Sequence, residues 1–391
     1  MDTGLWLFAW DFADEGVDNV MAWAADSGIR SLQVATSYHA GWFIHPHNPY
    51  HRAFMPDDGC VYFHPQAKRY DKLKLRPKVA RGCRQTDWLR EAGDRLDKYK
   101  LTLASWTVCC HNTRLGLAHP DCAVRNCFGD TFPHALCPAN DHVRSYLTAL
   151  CTDLATNLPL DILQLESPGF MGLAHGHHHE RDLTGLTPLE QTLMSLCFCK
   201  SCLRRAGARD VDVLQIQREL RVLLDAGFAA APDRPKNHPQ TWQAVIAQIP
   251  QLQQLQEVRK QTEDTLILEI KAALKSSKTK LALFGGYNKT LSDAVGIYCG
   301  SVYGLRPDAA LAATKKLRAT FPAGAVTRVP DLHMGIRLGA GSVFSADDLA
   351  ALIRACRGGG ATGVMFYNYS ESPMTCLHWI KPALAAVNSQ R

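Results

Sequence analysis

Three cysteines lie within six residues of one another near the middle of the chain. Cys197, Cys199 and Cys202 form the pattern Cys-x-Cys-x-x-Cys. Positions two apart on a helix point in different directions, so three buried thiols on one helix is the less favoured interpretation. A loop that wraps a metal ion accounts better for this spacing, and cysteine thiolates are typical ligands of structural zinc.

A structural zinc site needs four ligands, and the sequence offers two sources for the fourth. One is Cys137, which lies upstream and precedes a proline. The other is a group of neighbouring histidines with an adjacent acid, which is also typical of a solvated loop. This group consists of His175, His177, His178, His179 and Glu180. This group follows a candidate catalytic carboxyl group in the sequence. We therefore also predict that His175 and His177 contact a substrate.

That candidate carboxyl group is Glu166, at the end of a short apolar segment. Residues 161–165 read Asp-Ile-Leu-Gln-Leu, and Ser167, Pro168 and Gly169 follow. The pattern is typical of a buried strand in a parallel sheet with an acid at its C-terminal tip. Such an acid can donate a proton at neutral pH if burial raises its pKa. The structural alternative is an ion pair that closes the top of the sheet.

Acid–base chemistry at such a site usually needs a second carboxyl group. Asp11 and Glu371 are the leading candidates, because Asp11 lies at the end of the first predicted strand and Glu371 follows the last. Asp331, near the start of the seventh predicted strand, ranks behind them. Glu180 is a further candidate if its loop folds back.

Aromatic and polar side chains occur at the predicted C-terminal ends of nearly every strand. Rings of this kind stack on the apolar faces of sugars, and polar groups fix the hydroxyls. A single aromatic residue is more often part of the core, but the recurrence favours a binding site. Arg337 needs an anion, either Glu166 or an acidic sugar. The predicted substrate contacts are Trp10, Tyr38, His39, Trp106, His111, Asn112, Tyr287, Tyr298, Arg337, Tyr367 and Asn368.

Eight strand-like segments alternate with helical patterns and position these side chains. Alternation of this kind predicts a parallel sheet, and eight units predict a closed (β/α)₈ TIM barrel in the α/β class. An open doubly wound sheet is less favoured, because no Gly-x-Gly-x-x-Gly follows the first strand. The predicted strands are 4–12, 29–36, 100–108, 161–165, 281–285, 294–299, one within 326–338, and 363–369.

Helical spacing predicts the remaining elements and one interruption of the repeat. Residues 171–279 are too long for one crossover, so they are predicted to form a helical, Cys-rich insertion after the fourth strand. Residues 1–391 are predicted to form one domain that contains this insertion. The predicted helices are 17–27, 86–98, 141–157, at least two in the insertion with the last at 252–275, 307–320, 346–357 and 379–387.

The composition excludes several classes of function. The net charge of +6 is spread along 391 residues without a basic stripe, so no nucleic-acid partner is expected. No run of eighteen apolar residues predicts a membrane span. The N-terminus has no pattern of a secretory signal, so a cytoplasmic location and reduced thiols are expected. A homo-oligomer is compatible with the sequence.

Several of these residues resemble the barrel domain of the family 42 β-galactosidases. The resemblance spans about 137–202 and rests on Cys137-Pro-Ala-Asn, the helix that follows, Glu166 and the Cys-x-Cys-x-x-Cys pattern. It implies that Cys137 and the three later cysteines bind zinc, and that Glu166 is the general acid/base. Two positions depart from the family, which has Asn before the acid and a nucleophilic Glu at the end of strand seven. Here Leu165 and Arg337 occupy those positions.

Three functions are therefore weighed, all of them with a carbohydrate partner. The first is a glycoside hydrolase-like enzyme that uses Glu166 at the C-terminal mouth of the barrel. The second is a metal-dependent sugar isomerase or lyase that uses His39, His111, Glu166 and the histidine group. The third is a carbohydrate-binding pseudoenzyme, which the missing nucleophile at strand seven favours.

Overall fold

Eight parallel strands form a closed barrel in the computed structural model, which confirms the predicted fold. The structure describes residues 1–173, 183–275, 277–322 and 329–389. Each strand pairs with the next along the chain, and the last pairs with the first. The strands are β1 (Asp2–Phe8), β2 (Ser31–Tyr38), β3 (Thr102–Val108), β4 (Ile162–Glu166), β5 (Lys280–Phe284), β6 (Val295–Ser301), β7 (Asp331–Arg337) and β8 (Gly363–Tyr367).

Helices surround this barrel. The link from β5 to β6 departs from the regular repeat, because it carries only a 3₁₀ turn, Lys289–Leu291. The helices are α1 (Ala9–Glu15), α2 (Val17–Asp26), α3 (Trp88–Gly93), α4 (Leu96–Tyr99), α5 (Thr113–Ala118), α6 (Asp141–Asn157), α7 (Pro188–Met194), α8 (Lys200–Gly207), α9 (Val213–Ala230), α10 (Trp242–Gln248), α11 (Gln251–Ala273), α12 (Pro307–Arg318), α13 (Ala346–Gly358), α14 (Met374–Leu377) and α15 (Ile380–Asn388).

Additional short strands lie in the loops at the mouth of the barrel. One of them, Cys60–Val61, pairs antiparallel with the end of β2. The other four form two small antiparallel pairs in the loops after β2 and β3. These pairs are Phe43–Ile44 with Ala53–Phe54, and Ala123–Arg125 with Thr131–Leu136.

Alternate residues of each strand point into the barrel. One hydrogen bond shows which side chains of β4 point inward. In it, the Trp6 indole Nε1 donates to Gln164 Oε1 over 2.8 Å. Trp6 lies on β1, which is not a neighbour of β4 in the barrel, so this hydrogen bond crosses the interior. Glu166, two residues beyond Gln164, therefore also points inward at the mouth.

The predicted insertion contains five helices, α7 to α11, between β4 and β5. Their apolar faces meet in a small core of their own, apart from the barrel core. This second core includes Leu193, Ala206, Leu220, Val245 and Leu252, one from each helix. The limits 1–391 and 171–279 for the domain and the insertion stay predictions.

Two elements differ clearly from those predicted. The first strand ends at Phe8, because Asp11 accepts the Phe8 backbone N–H and starts α1. The predicted helix at 86–98 is two helices, α3 and α4. Strand seven lies within the predicted segment 326–338 and ends at Arg337. Within the described residues, no helix has both the length and the apolar character that a membrane span requires.

Candidate active site

Glu166 ends β4 at the mouth of the barrel, where burial raises the pKa of its carboxyl group. The indole Nε1 of Trp106 donates a hydrogen bond to Glu166 Oε2, which acts in the opposite direction and lowers the pKa. Trp106 reaches Glu166 because β3 and β4 are paired, with Val108 opposite Glu166. The result is a carboxyl group whose pKa is raised and whose orientation is fixed by one hydrogen bond.

Aromatic rings form the base of the mouth below Glu166. The Trp6 ring meets Trp106 edge to face at 6.4 Å and Tyr367 at 5.8 Å, and it stacks on Phe284 at 6.2 Å. The predicted contacts Trp106 and Tyr367 therefore lie together at the mouth. Polar atoms in this apolar surrounding are desolvated, which strengthens their electrostatic effect on one another.

A second carboxyl group, Glu371, lies in the loop after β8. Burial raises its pKa, and the positive charge of Arg337 and the neighbouring Asn368 side chain offset only part of that rise. The Asn368 side chain also accepts the Glu371 backbone N–H over 2.8 Å, which fixes the loop. The predicted contact Asn368 therefore positions Glu371, and its own side chain is buried.

Two tyrosines are influenced by the carboxyl groups of both Glu166 and Glu371. Tyr38, at the end of β2, and Tyr367, at the end of β8, interact with each other. Burial is the main cause that raises the pKa of both phenols, and the charges of Glu166 and Glu371 raise both further. Both carboxyl groups thus act on the same pair of phenols at one mouth.

Arg337 ends β7 and faces the same mouth. Its guanidinium carbon lies 4.9 Å from the ring centroid of Tyr303 and 5.4 Å from that of Tyr367. The inward direction follows from Gly335, two residues earlier, where an added Cβ would lie 3.2 Å from Tyr303 and 3.3 Å from Trp6. No described residue forms an ion pair with Arg337, so it is not the partner of Glu166.

A row of stacked rings extends from Tyr38 along the rim. His39 stacks on Tyr38 at 4.4 Å and on His111 at 4.0 Å, so these three predicted contacts are brought together. His111 in turn meets His134 edge to face at 6.1 Å. This row continues the aromatic lining of the mouth towards the loop after β3.

Asp11 is almost fully buried, with 1% of its surface exposed. Its carboxylate accepts hydrogen bonds from the Phe8 backbone N–H at 2.8 Å and from the Ser370 hydroxyl at 2.6 and 2.7 Å. Burial raises its pKa to about 7. These contacts tie the loop that carries Asn368 and Glu371 to the start of α1.

Four other predicted contacts do not reach the mouth. Asn112 caps α5 and bonds to Gly59, and Trp10 stacks behind Phe8 at 4.2 Å. Tyr287 and Tyr298 pack with Phe321 outside the barrel. Tyr298 points outward because it pairs with Leu283, whereas the next residue, Phe284, meets Trp6 inside.

Two further sets of predicted residues lie elsewhere. Asp331 begins β7, so it is at the end of the barrel opposite the mouth. The histidine group and its acid lie outside the described residues. These are His175, His177, His178, His179 and Glu180.

Four residues of the mouth were not predicted from the sequence: Trp6, Gln164, Phe284 and Tyr303. Gln164 was detectable, because it lies two residues before Glu166 and shares its face of the strand. Trp6 was detectable in the same way, because it lies two residues before the end of β1 and alternates with its neighbours between the two faces of the strand. Tyr303 lies two residues beyond β6, outside any strand pattern, and only the folded structure brings it to Arg337.

The four predicted metal ligands meet in one buried cluster. Cys137 Sγ lies 3.5 Å from Cys202 Sγ, 3.6 Å from Cys199 Sγ and 3.8 Å from Cys197 Sγ. An ion bound tetrahedrally with metal–sulfur bonds of about 2.3 Å separates its ligands by about 3.8 Å, so the cluster fits a metal ion. It is the one group of described residues with metal-ligand spacing. The cluster joins the insertion to the segment that precedes α6.

Comparison with solved structures identifies the same architecture. A catalytic domain of β-amylase from Paenibacillus polymyxa matches with a TM-score of 0.55 and 8% identity, over 100% of this chain and 98% of that one. The chain therefore shares the barrel fold of that domain. A β-galactosidase from Halorubrum lacusprofundi matches with a TM-score of 0.57 and 10% identity, over 98% of this chain and 57% of that one.

An α-L-fucosidase from Paenibacillus thiaminolyticus matches with a TM-score of 0.54 and 12% identity, over 96% of this chain. The chain spans about half the length of this fucosidase (46%) and of the haloarchaeal β-galactosidase (57%). Neither a protein-family model nor a curated protein sequence matches the chain. The similarity therefore concerns the fold.

Proposed function

We propose that this protein is a glycoside hydrolase whose general acid/base is Glu166. The observation that carries the proposal is a carboxyl group at the C-terminal end of a barrel strand, with a pKa raised by burial and an orientation fixed by Trp106. A general acid must hold its proton at the operating pH and release it to the leaving oxygen. Active sites of these barrels lie at this end of the strands.

Glu371 is the proposed second carboxylate. Burial raises its pKa, as it does for Glu166, and the charge of Arg337 partly offsets that rise. Glu166 has only the neutral Trp106 in the offsetting role, and this difference favours Glu371 as the ionised partner that a general acid requires. Glu371 comes after β8, so the proposal departs from the family 42 pattern, in which strand seven supplies the nucleophile.

The surrounding rings fit a sugar substrate. Phe284, which is exposed, and Tyr367, which is half-buried, offer ring faces for the apolar side of a pyranose, whereas Tyr38 and Trp106 are buried. The phenols of Tyr38 and Tyr367 lie near both carboxyl groups and are proposed to form hydrogen bonds with the hydroxyls of the sugar. Asp11 is proposed to have a supporting role, because Ser370 and Phe8 occupy its oxygens.

Zinc is the proposed occupant of the cysteine cluster, held by Cys137, Cys197, Cys199 and Cys202. Four thiolates leave no open coordination position, so the ion would supply structure and no catalytic chemistry. This arrangement supports the likeness to the family 42 barrel. That likeness concerns the metal site and does not extend to the sugar on which the family acts.

A carbohydrate-binding pseudoenzyme is the second candidate, and Arg337 at the end of β7 favours it. A metal-dependent isomerase has less support, because His39, His111 and Glu166 do not form a ligand set within the described residues. The test is hydrolysis of glycosides by the purified protein and by its Glu166→Gln variant. Turnover that Glu166→Gln abolishes supports the hydrolase, and sugar binding without turnover supports the second candidate.

A further inference from the structure

Arg337 has a position that its contacts within the protein do not explain. Its guanidinium group rests against the rings of Tyr303 and Tyr367, which lie 5.7 Å from each other. Contact with two rings orients a guanidinium group and leaves its N–H donors available. No described residue supplies an ion pair, and the side chain is exposed at the mouth.

An anionic ligand at this mouth would need a cation beside the carboxyl groups. Glu166 and Glu371 both influence the phenol of Tyr367, so the mouth contains two acidic groups around one base. A negatively charged sugar would be repelled by an ionised carboxylate there unless a cation compensated for it. Arg337 can provide this compensation, because its guanidinium group lies at the mouth against Tyr367.

We propose that Arg337 forms an anion-binding subsite and that the substrate is an acidic sugar. This inference rests on the proposed function, because it assumes that Glu166 and Glu371 act on a glycoside at this mouth. The planar guanidinium group donates two parallel hydrogen bonds to a carboxylate, or similar bonds to a sulfate ester. Tyr303 and Tyr367 hold the plane of the group in place for this contact.

The alternative role of Arg337 is to lower the pKa of Glu371, which its charge also does. That role is independent of the substrate's charge, whereas an anion subsite discriminates between charged and neutral sugars. Binding therefore separates the two roles. It is measured in the Glu166→Gln background, so that hydrolysis does not consume the ligand.

The experiment compares matched ligands by calorimetry and ligand-observed NMR. The pairs are glucose with glucuronate and galactose with galacturonate, and glucose 6-sulfate tests a sulfate as the charged group. We expect at least one charged sugar to bind more tightly than its neutral partner. Arg337→Gln should weaken that binding about tenfold to a hundredfold and leave the neutral sugar unchanged. Arg337→Lys should restore part of it, because a point charge lacks the bidentate geometry.

Arg318→Gln is the matched control, because Arg318 also lies over a ring, that of Phe321 at 4.8 Å, but outside the mouth. It should not change the binding of any sugar. The inference is overturned if no charged sugar binds better than its neutral partner, or if Arg337→Gln weakens both equally. A charge preference in a protein whose hydrolysis does not depend on Glu166 would instead overturn the proposed function and leave the subsite in place.

Discussion

The indole N–H of Trp106 donates a hydrogen bond to the carboxyl group of Glu166. Trp106 lies two residues before the end of β3 and Glu166 ends β4, so the pairing of these two strands brings them together. The hydrogen bond favours the ionised carboxylate and burial favours the protonated acid, and burial is the larger effect. The protonation of Glu166 is therefore set by a balance that single substitutions can change.

Trp106→Phe removes the hydrogen bond and keeps most of the ring. Since that bond lowers the pKa of Glu166, its loss should raise the pKa further. The alkaline limb of the pH profile of kcat/KM should then move to higher pH, because a general acid must remain protonated. Trp88→Phe is a control away from the mouth, where the indole bonds to Gly82. An unchanged alkaline limb in Trp106→Phe would contradict the assignment.

Glu371→Gln preserves shape but cannot ionise. If Glu371 is the ionised partner, turnover should fall at least about a hundredfold while substrate affinity is largely kept. Steady-state kinetics on a chromogenic glycoside checks this, with Glu269→Gln as a control at the ion pair with Arg144. Turnover near that of the unmodified protein would leave the second carboxylate unassigned.

Asp11 should make the stability of the fold depend on pH. Its folded pKa, about 7, is above its ordinary value of 3.8, so the folded state keeps a proton that the unfolded chain releases between these values. Its contribution to the free energy of unfolding is thus present below pH 3.8 and is lost as pH rises to about 7. The slope is about 1.4 kcal/mol per pH unit.

Urea unfolding of the protein and of Asp11→Asn at several pH values measures this effect. The difference in unfolding free energy between the two proteins should change with pH between those limits and become constant above them. Asn at this position still accepts the Phe8 N–H, so the cap is kept. A difference that is the same at every pH would contradict a protonated Asp11.

The cysteine cluster predicts one zinc ion per chain. Cys199→Ser should reduce the metal content and lower the unfolding free energy by at least about 3 kcal/mol, since binding to a structural site is coupled to folding. Elemental analysis and thermal unfolding measure the two effects. Cys356→Ser changes a buried thiol outside the cluster and should retain the metal. Protein that is purified without any bound metal would refute the prediction.

The fold was predictable because apolar segments of strand length recur between helical patterns. The end of β1 was not, since Ala9, Trp10 and Phe12 suit a buried strand and a buried helix equally. Only the Asp11 contact with the Phe8 backbone decides between them. The metal ligands were predictable as a set, and folding selects Cys137 as the fourth.

The inward and outward faces of strands were harder to predict. Tyr298 lies in the middle of β6 and points outward, whereas Tyr367 ends β8, and a register irregularity between Leu281 and Ala282 accompanies the outward direction of Tyr298. Sequence spacing does not reveal which strand register closes the barrel. Tyr303 could not be predicted for another reason. It lies in the loop after β6, and only the pairing of β6 with β7 brings it into contact with Arg337.

The central claim is that Glu166 delivers the proton to the leaving group. Glu166→Gln retains the size of the side chain and can still accept from Trp106, but it cannot donate that proton. Turnover of an unactivated glycoside should fall at least about a hundredfold with affinity largely kept, whereas glycosides with very acidic leaving groups should be affected less. A Glu166→Gln protein that turns over unactivated glycosides normally and melts at a lower temperature would contradict the claim and make Glu166 a structural residue.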